Sequence, residues 1–183
     1  MPRGEPPAGF HYDPGFLSEN EERDLLAAIE SIEFREVVMR GAVAKRTTAH
    51  FGWTYDYARW RVEETEPIPE AFLGVRERAA AVGGIVPDDF AELLVSRYPS
   101  GAGIGWHRDA PMFGPIVAGI SLLSACTLRF RRRTAGRFDR WGADVEPRSL
   151  YLLTGAARSA WQHSIGSTPS LRYSLTFRTL RGK

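Results

Sequence analysis

One cysteine, Cys126, stands in the 183 residues, so neither an internal disulfide framework nor a thiolate zinc cluster is available. Its apolar neighbours mark it as a buried residue rather than a nucleophile, and redox chemistry through sulfur is not expected. Long apolar runs are also missing. The longest, residues 116–123, falls far short of the ~20 residues a membrane-spanning helix needs. The start, Met1-Pro2-Arg3-Gly4-Glu5, lacks the apolar core of a secretory signal, and a cytoplasmic location is the expectation. There are no internal repeats and no low-complexity segments. The net charge of +2 is too small to demand a nucleic-acid partner by itself.

A hydrophobic fraction of 43% with 25% charged residues fits one soluble domain that buries a real core. Residues 1–9, rich in proline and glycine, read as a loose arm. Ser18 and Glu21 make a capping box ahead of the stripe Leu25, Leu26 and Ile29, which predicts a helix over 18–31. A second helix is expected over 70–82, started after Pro69 and stopped by Gly83-Gly84, with a short third one after Pro87. From Leu93 the texture changes to strand-forming runs at 93–98, 116–123, 127–132, 149–153, 161–165 and 171–180. Helices first and strands afterwards give a mainly β fold with buttressing N-terminal helices, a sandwich or jelly roll.

The chemistry is carried by Trp106-His107-Arg108-Asp109 together with the distant His163. Two histidines and one carboxylate are what a non-haem ferrous site needs to keep coordination positions open. Period two in a strand sets His107 and Asp109 on one side and Arg108 on the other. His11 and His50 lie outside the strand region and are not candidates. In Leu171-Arg172-Tyr173-Ser174-Leu175-Thr176-Phe177-Arg178, the same alternation gives an apolar face and a polar face of Arg172, Ser174, Thr176 and Arg178. Either that face looks to water or it lines a pocket holding an anion, because buried guanidinium groups need a partner. Beside a metal triad, the pocket is the better account.

On these residues the chain resembles the AlkB family of Fe(II)- and 2-oxoglutarate-dependent dioxygenases, most clearly over residues 90–180. The resemblance implies a double-stranded β-helix (jelly roll) core. It divides the single domain into the arm, a helical buttress and substrate lid over 10–90, and a catalytic core over 91–183. It implies that His107, Asp109 and His163 bind Fe(II), that Arg172 pairs with the distal carboxylate of 2-oxoglutarate, and that Arg178 lies near the metal-proximal carboxylate and Asp109. Tyr98, in Ser96-Arg97-Tyr98-Pro99, matches the family tyrosine that reaches the co-substrate. The activity it implies is oxidation of a nitrogen-bound alkyl group with O2, releasing formaldehyde and the unmodified base. Three positions depart from many members. Ser96 and Ser174 replace asparagines, which leaves shorter hydroxyls toward the co-substrate. Pro111 replaces an acidic residue that several members use to read a base.

The segment 50–60 holds Phe51, Trp53, Tyr55, Tyr57 and Trp60 and resembles the family's substrate lid. In an extended piece Trp53, Tyr55 and Tyr57 share a face on which a base could stack, or they pack on the core as a hairpin. Arg40, Lys45 and Arg46 just before it suit phosphates. Trp106, Met112, Phe113 and Trp161 flank the ligands and serve as pocket wall or as packing. Six arginines between residues 129 and 140 form either a solvated strand face or a phosphate-binding patch. The leading expectation is a monomeric enzyme acting on alkylated DNA or RNA, single-stranded or with a flipped base. A hydroxylase or demethylase of protein side chains or small molecules is the alternative, and a non-catalytic jelly-roll module that binds nucleic acid is the second.

Overall fold

Short runs that alternate apolar and polar residues close into two facing sheets, with the apolar stripes of the helices laid against one of them. The computed structural model describes residues 4–39, 41–56 and 61–182. The elements are β1 (Phe10–Asp13), α1 (Glu19–Glu30), β2 (Arg35–Met39), β3 (Ala42–Phe51), β4 (Trp53–Asp56), β5 (Arg61–Glu64), α2 (Leu73–Gly83), β6 (Phe90–Tyr98), β7 (Ile104–His107) and β8 (Phe113–Leu122). They continue with β9 (Cys126–Thr134), β10 (Arg137–Val145), β11 (Leu150–Leu153), α3 (Gly155–Ser159), β12 (Gln162–Ile165) and β13 (Arg172–Leu180). A major sheet runs in the order β1-β11-β8-β13-β6-β3-β2, a minor sheet in the order β10-β9-β12-β7, and β4-β5 form a separate hairpin. All pairings are antiparallel. This is the jelly roll with helical buttress that the residue pattern implied.

The central strands of the major sheet are covered on both faces, and their alternation sorts two cores. Leu93, Val95, Ala118, Ile120, Leu122, Leu175 and Phe177 face α1 and α2, meeting Leu25, Ile29, Val75, Ala79 and Ala80. The other face turns Tyr98, Val117, Tyr151 and Leu153 toward Leu128, Phe130, Val145 and Ile165 of the minor sheet. Each fully buried aliphatic side chain contributes about 1.5–3 kcal/mol, so truncating Ile29 to alanine would cost ~2–5 kcal/mol.

Helix α1 starts where its local signal puts it. Ser18 Oγ accepts from the Glu21 amide at 3.3 Å while Glu21 Oε2 accepts from the Ser18 amide at 2.7 Å. The second helix opens with a 3-10 turn, Glu70–Phe72, and ends on Gly84 at φ 66°. After Pro87 there is one 3-10 turn only. All six expected strands form. Besides β7 at the ligand motif and the β4-β5 hairpin at the aromatic segment, four more form that were not expected: β1, β2 and β3, which widen the major sheet from a segment read as buttress and lid, and β10. That last strand is an edge whose inner face mixes Arg137 and Asp139 with Trp141 and Val145, so its sequence shows no clean apolar period. The arm is not loose at its end. The Ala8 and Gly9 carbonyls accept from the Ala157 and Thr154 amides at 2.8 and 2.9 Å. Gly9 has φ 90°, and a Cβ there would stand 2.3 Å from the Thr154 oxygen, so no other residue fits. No helix is long and apolar enough to cross a membrane among the described residues.

Candidate active site

Between the sheets lies a cavity of about 260 Å3, small for a ligand site and suited to a compact acid rather than a nucleotide. Its walls include His107, Asp109 and His163 on one side and Ser96, Tyr98, Ser174 and Arg178 on the other.

Strand pairing places the two histidines. His107 on β7 is the register partner of His163 on β12, and the ring centroids are 4.2 Å apart. His107 Nδ1 donates to the Gly105 carbonyl at 2.8 Å, which leaves Nε2 without its proton and free to ligate. Asp109 arrives differently from the period-two expectation. The strand ends at His107, and Asp109 sits in the following loop, 8% exposed. That loop is held by Arg158, whose guanidinium donates to the carbonyls of Asp109, Ala110 and Phe113 at 3.3, 3.1 and 3.2 Å. Asp109 Oδ1 takes the Arg178 Nη2 at 2.7 Å, and Oδ2 stands 3.7 Å from His163 Nε2.

The electrostatics keep these groups in the charge states a cation requires. Burial pushes His163 down to about 3, helped by His107, and burial also lowers His107. Both imidazoles are neutral. Burial alone would raise the Asp109 carboxyl, but Arg178 and then the two histidines outweigh it and hold it well below the carboxylate range. Two neutral imidazoles and a carboxylate are a donor set for a ferrous ion. Two ligands at right angles on ~2.1 Å bonds lie roughly 3 Å apart, so the 3.7 Å gap closes on an ion with a shift under an ångström. Among the described residues no three His, Cys, Asp or Glu side chains already stand at cage distances.

Arg172, on β13, is 0% exposed and is the largest fully buried side chain. Its Nε donates to Ser121 Oγ at 3.1 Å, and its guanidinium lies 5.2 Å from the Tyr98 ring centre. Nη1 and Nη2 are buried without a protein partner. A buried guanidinium with two open donors fits a planar carboxylate. Ser174 stands opposite Ser96 and Ser121 on the neighbouring strands, a row of buried hydroxyls beside it. Burial raises the Tyr151 phenol, which is therefore a neutral donor on the same wall.

Two supporting residues escaped the sequence reading. Glu92 is 0% exposed and bridges Arg178 Nη1 and His50 Nδ1, each at 2.9 Å. His50, set aside as lying outside the strands, is on β3 and lines the cavity. Arg46 also turns into the cavity, 9% exposed, rather than out to phosphates.

The expected substrate residues divide. Trp53 is half-buried on β4, and Val62 of the same hairpin packs on Ala110 and Phe113, which sets the hairpin over the Asp109 loop. Tyr55 is on β4, but its side chain, with Arg40, Tyr57 and Trp60, lies outside the described residues. Trp106 is a correction. It precedes His107 on β7 and so points to the outer face of the minor sheet, with Arg131 4.5 Å from its ring centre. Trp161 and Phe113 are core, and Cys126 is buried with its thiol raised by burial. A wider concavity, about 970 Å3, runs past Trp106 and includes none of the candidate metal ligands.

A family model described as the 2OG-Fe(II) oxygenase superfamily matches residues 9–178. An Arabidopsis thaliana protein named alkylated DNA repair protein ALKBH8 homolog is 28% identical over 180 residues, covering 86% of this chain and 50% of that protein. A Mus musculus protein named tRNA (carboxymethyluridine(34)-5-O)-methyltransferase ALKBH8 is 28% identical over 170 residues, covering 87% and 24%. A Danio rerio protein named probable RNA/DNA demethylase ALKBH6 is 27% identical over 128 residues, covering 70% and 52%. The chain thus spans about half the length of these relatives or less. In fold it matches the structure of OsALKBH1 at TM-score 0.70 and 17% identity, covering 97% of this chain and 99% of that one. It matches a Pseudomonas putida prolyl-4-hydroxylase at TM-score 0.64 and 18% identity, covering 94% and 93%.

Proposed function

The chain belongs to the 2OG-Fe(II) oxygenase superfamily and is AlkB-like, and on that premise we propose that it removes alkyl groups oxidatively from nitrogen-alkylated bases of DNA or RNA. Family membership makes it a dioxygenase that uses Fe(II), 2-oxoglutarate and O2, so the non-catalytic reading falls away. The dealkylation reading is carried by one observation: the His107, Asp109 and His163 donor set lines a small cavity with Tyr98, and against the Tyr98 ring lies Arg172, whose two open donors are fully buried.

In this reading His107, Asp109 and His163 hold the ferrous ion, which when bound supplies the oxidising chemistry. Arg172 receives the distal carboxylate of 2-oxoglutarate, with Tyr98 against its guanidinium and Ser174 beside it. Arg178 keeps one Asp109 oxygen engaged and turns the other toward the histidines. Glu92 fixes Arg178 from behind. The lining sets Arg46, Arg108 and Arg178 against Asp109, with Arg172 buried against Tyr98 and Glu92 against Arg178, so the pocket favours an anion. The cavity is too small to take a nucleotide as well, so the alkylated base sits at its mouth with the alkyl carbon turned inward, under the β4-β5 hairpin that carries Trp53 and Tyr55. Such a base comes from a single strand or is flipped out of a duplex. Residues 1–183 act as one catalytic unit, a monomer.

The test is aerobic turnover with Fe(II), ascorbate and 2-oxoglutarate over N-methylated single-stranded DNA, RNA and tRNA, following succinate and formaldehyde together, with Asp109→Ala as control. Coupled release on one oligonucleotide is the expected result, and it names the base that the position of Pro111 leaves open. Succinate without formaldehyde on every nucleic acid overturns the dealkylation. Among the three, tRNA is the substrate that the mouse relative's name favours.

A further inference from the structure

The outer face of the minor sheet carries chemistry that the catalytic cavity does not use. Strands β9 and β10 pair so that Arg131 stands opposite Arg140, Arg133 opposite Phe138 and Arg129 opposite Gly142. Directly opposed residues share a face, so one side collects four arginines while Leu128 and Phe130 turn the other way into the core. Trp106, on the neighbouring edge of the sheet, joins the arginine side. The Arg131 guanidinium lies 4.5 Å and that of Arg129 5.5 Å from its ring centre, and Arg131 also lies 4.8 Å from the ring of Phe138.

These groups are not absorbed by the fold. Arg129, Arg133 and Arg140 are exposed, and Phe138 is 43% exposed. Arg131 donates to Gln162 Oε1 at 2.8 Å, a neutral partner that leaves its charge unbalanced. Asp139 pairs with Arg132 on the opposite side of the sheet. Among the described residues of β7, β9, β10 and β12, Asp144 is the one carboxylate in register with this face, and Thr127 bonds it at 2.8 Å. The groove of about 970 Å3 runs along the same surface past Trp106, Arg129 and Arg140.

We propose that this face docks a single-stranded nucleic acid, with Arg129, Arg131, Arg133 and Arg140 on its phosphates and Trp106 and Phe138 against its bases. Guanidinium forks match phosphate oxygens, and exposed rings stack on bases without regard to sequence. A duplex would meet the arginines but hide its base faces from the rings. An acidic protein segment would leave both rings without a stacking partner. The position suits the enzyme, because Trp106 and His107 are consecutive on β7, the edge of the minor sheet, and face opposite sides. A strand lying on the outer face reaches the cavity mouth by crossing that one edge. From β9 to β7 is two strand spacings, about 10 Å, or about three stacked nucleotides at 3.4 Å each. The proposal rests on the nucleic-acid reading of the active site and adds a grip away from the reacting base.

The experiment is fluorescence anisotropy of one labelled, unmodified 15-nucleotide sequence as single-stranded DNA, as single-stranded RNA and as duplex, with protein loaded with Mn(II) and 2-oxoglutarate. Arg129→Gln/Arg140→Gln is compared with Arg23→Gln/Arg35→Gln, an equal charge loss elsewhere on the surface. The face predicts at least tenfold weaker single-strand binding for the first pair only. The slope of log affinity on log salt falls by about 1.4, two phosphates at ~0.7 each. Phe138→Ala weakens binding without changing the slope. Equal effects of the two pairs, or duplex held as tightly as single strand, overturn the proposal. The stabilisation by Mn(II) and 2-oxoglutarate stays at its wild-type size in every variant here. If that stabilisation is missing from the wild type, the reading of the active site fails instead, and the two failures are told apart.

Discussion

Arg172→Met separates the co-substrate role of this side chain from a structural one. At 2-oxoglutarate a hundredfold above its dissociation constant, with Mn(II) present, a ligand that binds only the native state adds about 2.7 kcal/mol. A domain of this size gains roughly 2–4 °C per kcal/mol, so the wild type should melt ~5–11 °C higher. The substitution removes the two donors, Nη1 and Nη2, that are buried without a protein partner. Charge-assisted bonds contribute about 1.5–3 kcal/mol each, so about 3–6 kcal/mol is lost and the dissociation constant rises ~10²–10⁴-fold. At the same ligand concentration the stabilisation drops to about 0.4 kcal/mol or less, under ~2 °C. The ligand-free protein should melt at the wild-type temperature or above it. The lost Ser121 bond and Tyr98 contact are offset by removing an uncompensated buried charge. A full-sized ligand shift in Arg172→Met refutes the assignment of the distal carboxylate. A ligand-free melting temperature lower by ten degrees would make Arg172 a structural residue instead.

Arg158→Met releases the three carbonyls that hold the Asp109 loop, and Mn(II) affinity measured by titration should fall ~10–100-fold while the protein still folds; unchanged affinity would mean that the loop holds itself. Glu92→Ala strips a fully buried carboxylate from Arg178 and should cost about 3–5 kcal/mol, roughly 6–20 °C, with Glu92→Gln recovering much of the stability but not the metal affinity. The metal-free protein should lose stability in acid. His163 titrates near 3 when folded and near 6.5 when unfolded, so the unfolded chain binds more protons between those values. Stability is therefore full above about pH 6.5 and falls toward pH 3 by up to ~1.4 kcal/mol per unit, with His107 adding in the same direction. Urea midpoints that stay flat from pH 7 to 5 would refute neutral buried imidazoles.

What the sequence discloses here is what local rules encode. The cap of α1 is a contact between residues three apart, and the two faces of β13 follow from period two, so Leu175 and Phe177 go to the helices and Ser174, Thr176 and Arg178 to the cavity. The same rule, applied one residue earlier than His107, places Trp106 on the outer face; treating it as pocket wall ignored the alternation. Asp109 went the other way, assigned by a period that had already ended, because the strand stops at His107 and a clamp from a five-residue helix aims the carboxylate.

The remaining parts of the site depend on pairings between strands distant in sequence. Glu92 meets Arg178 because β6 and β13 are in register at that pair, and His50 reaches Glu92 because β3 lies on the other flank of β6. Nothing around residue 50 or residue 92 announces this. A charged residue within the otherwise apolar run 90–95 of β6 has no local explanation, and that was the available signal for Glu92. The ligands and the co-substrate arginine thus belong to motifs, while the residues that aim them belong to the fold. Substitutions at His50, Glu92, Ser121 and Arg158 should accordingly act through geometry: they alter how well Asp109, Arg172 and Arg178 are held and leave the donor set itself unchanged.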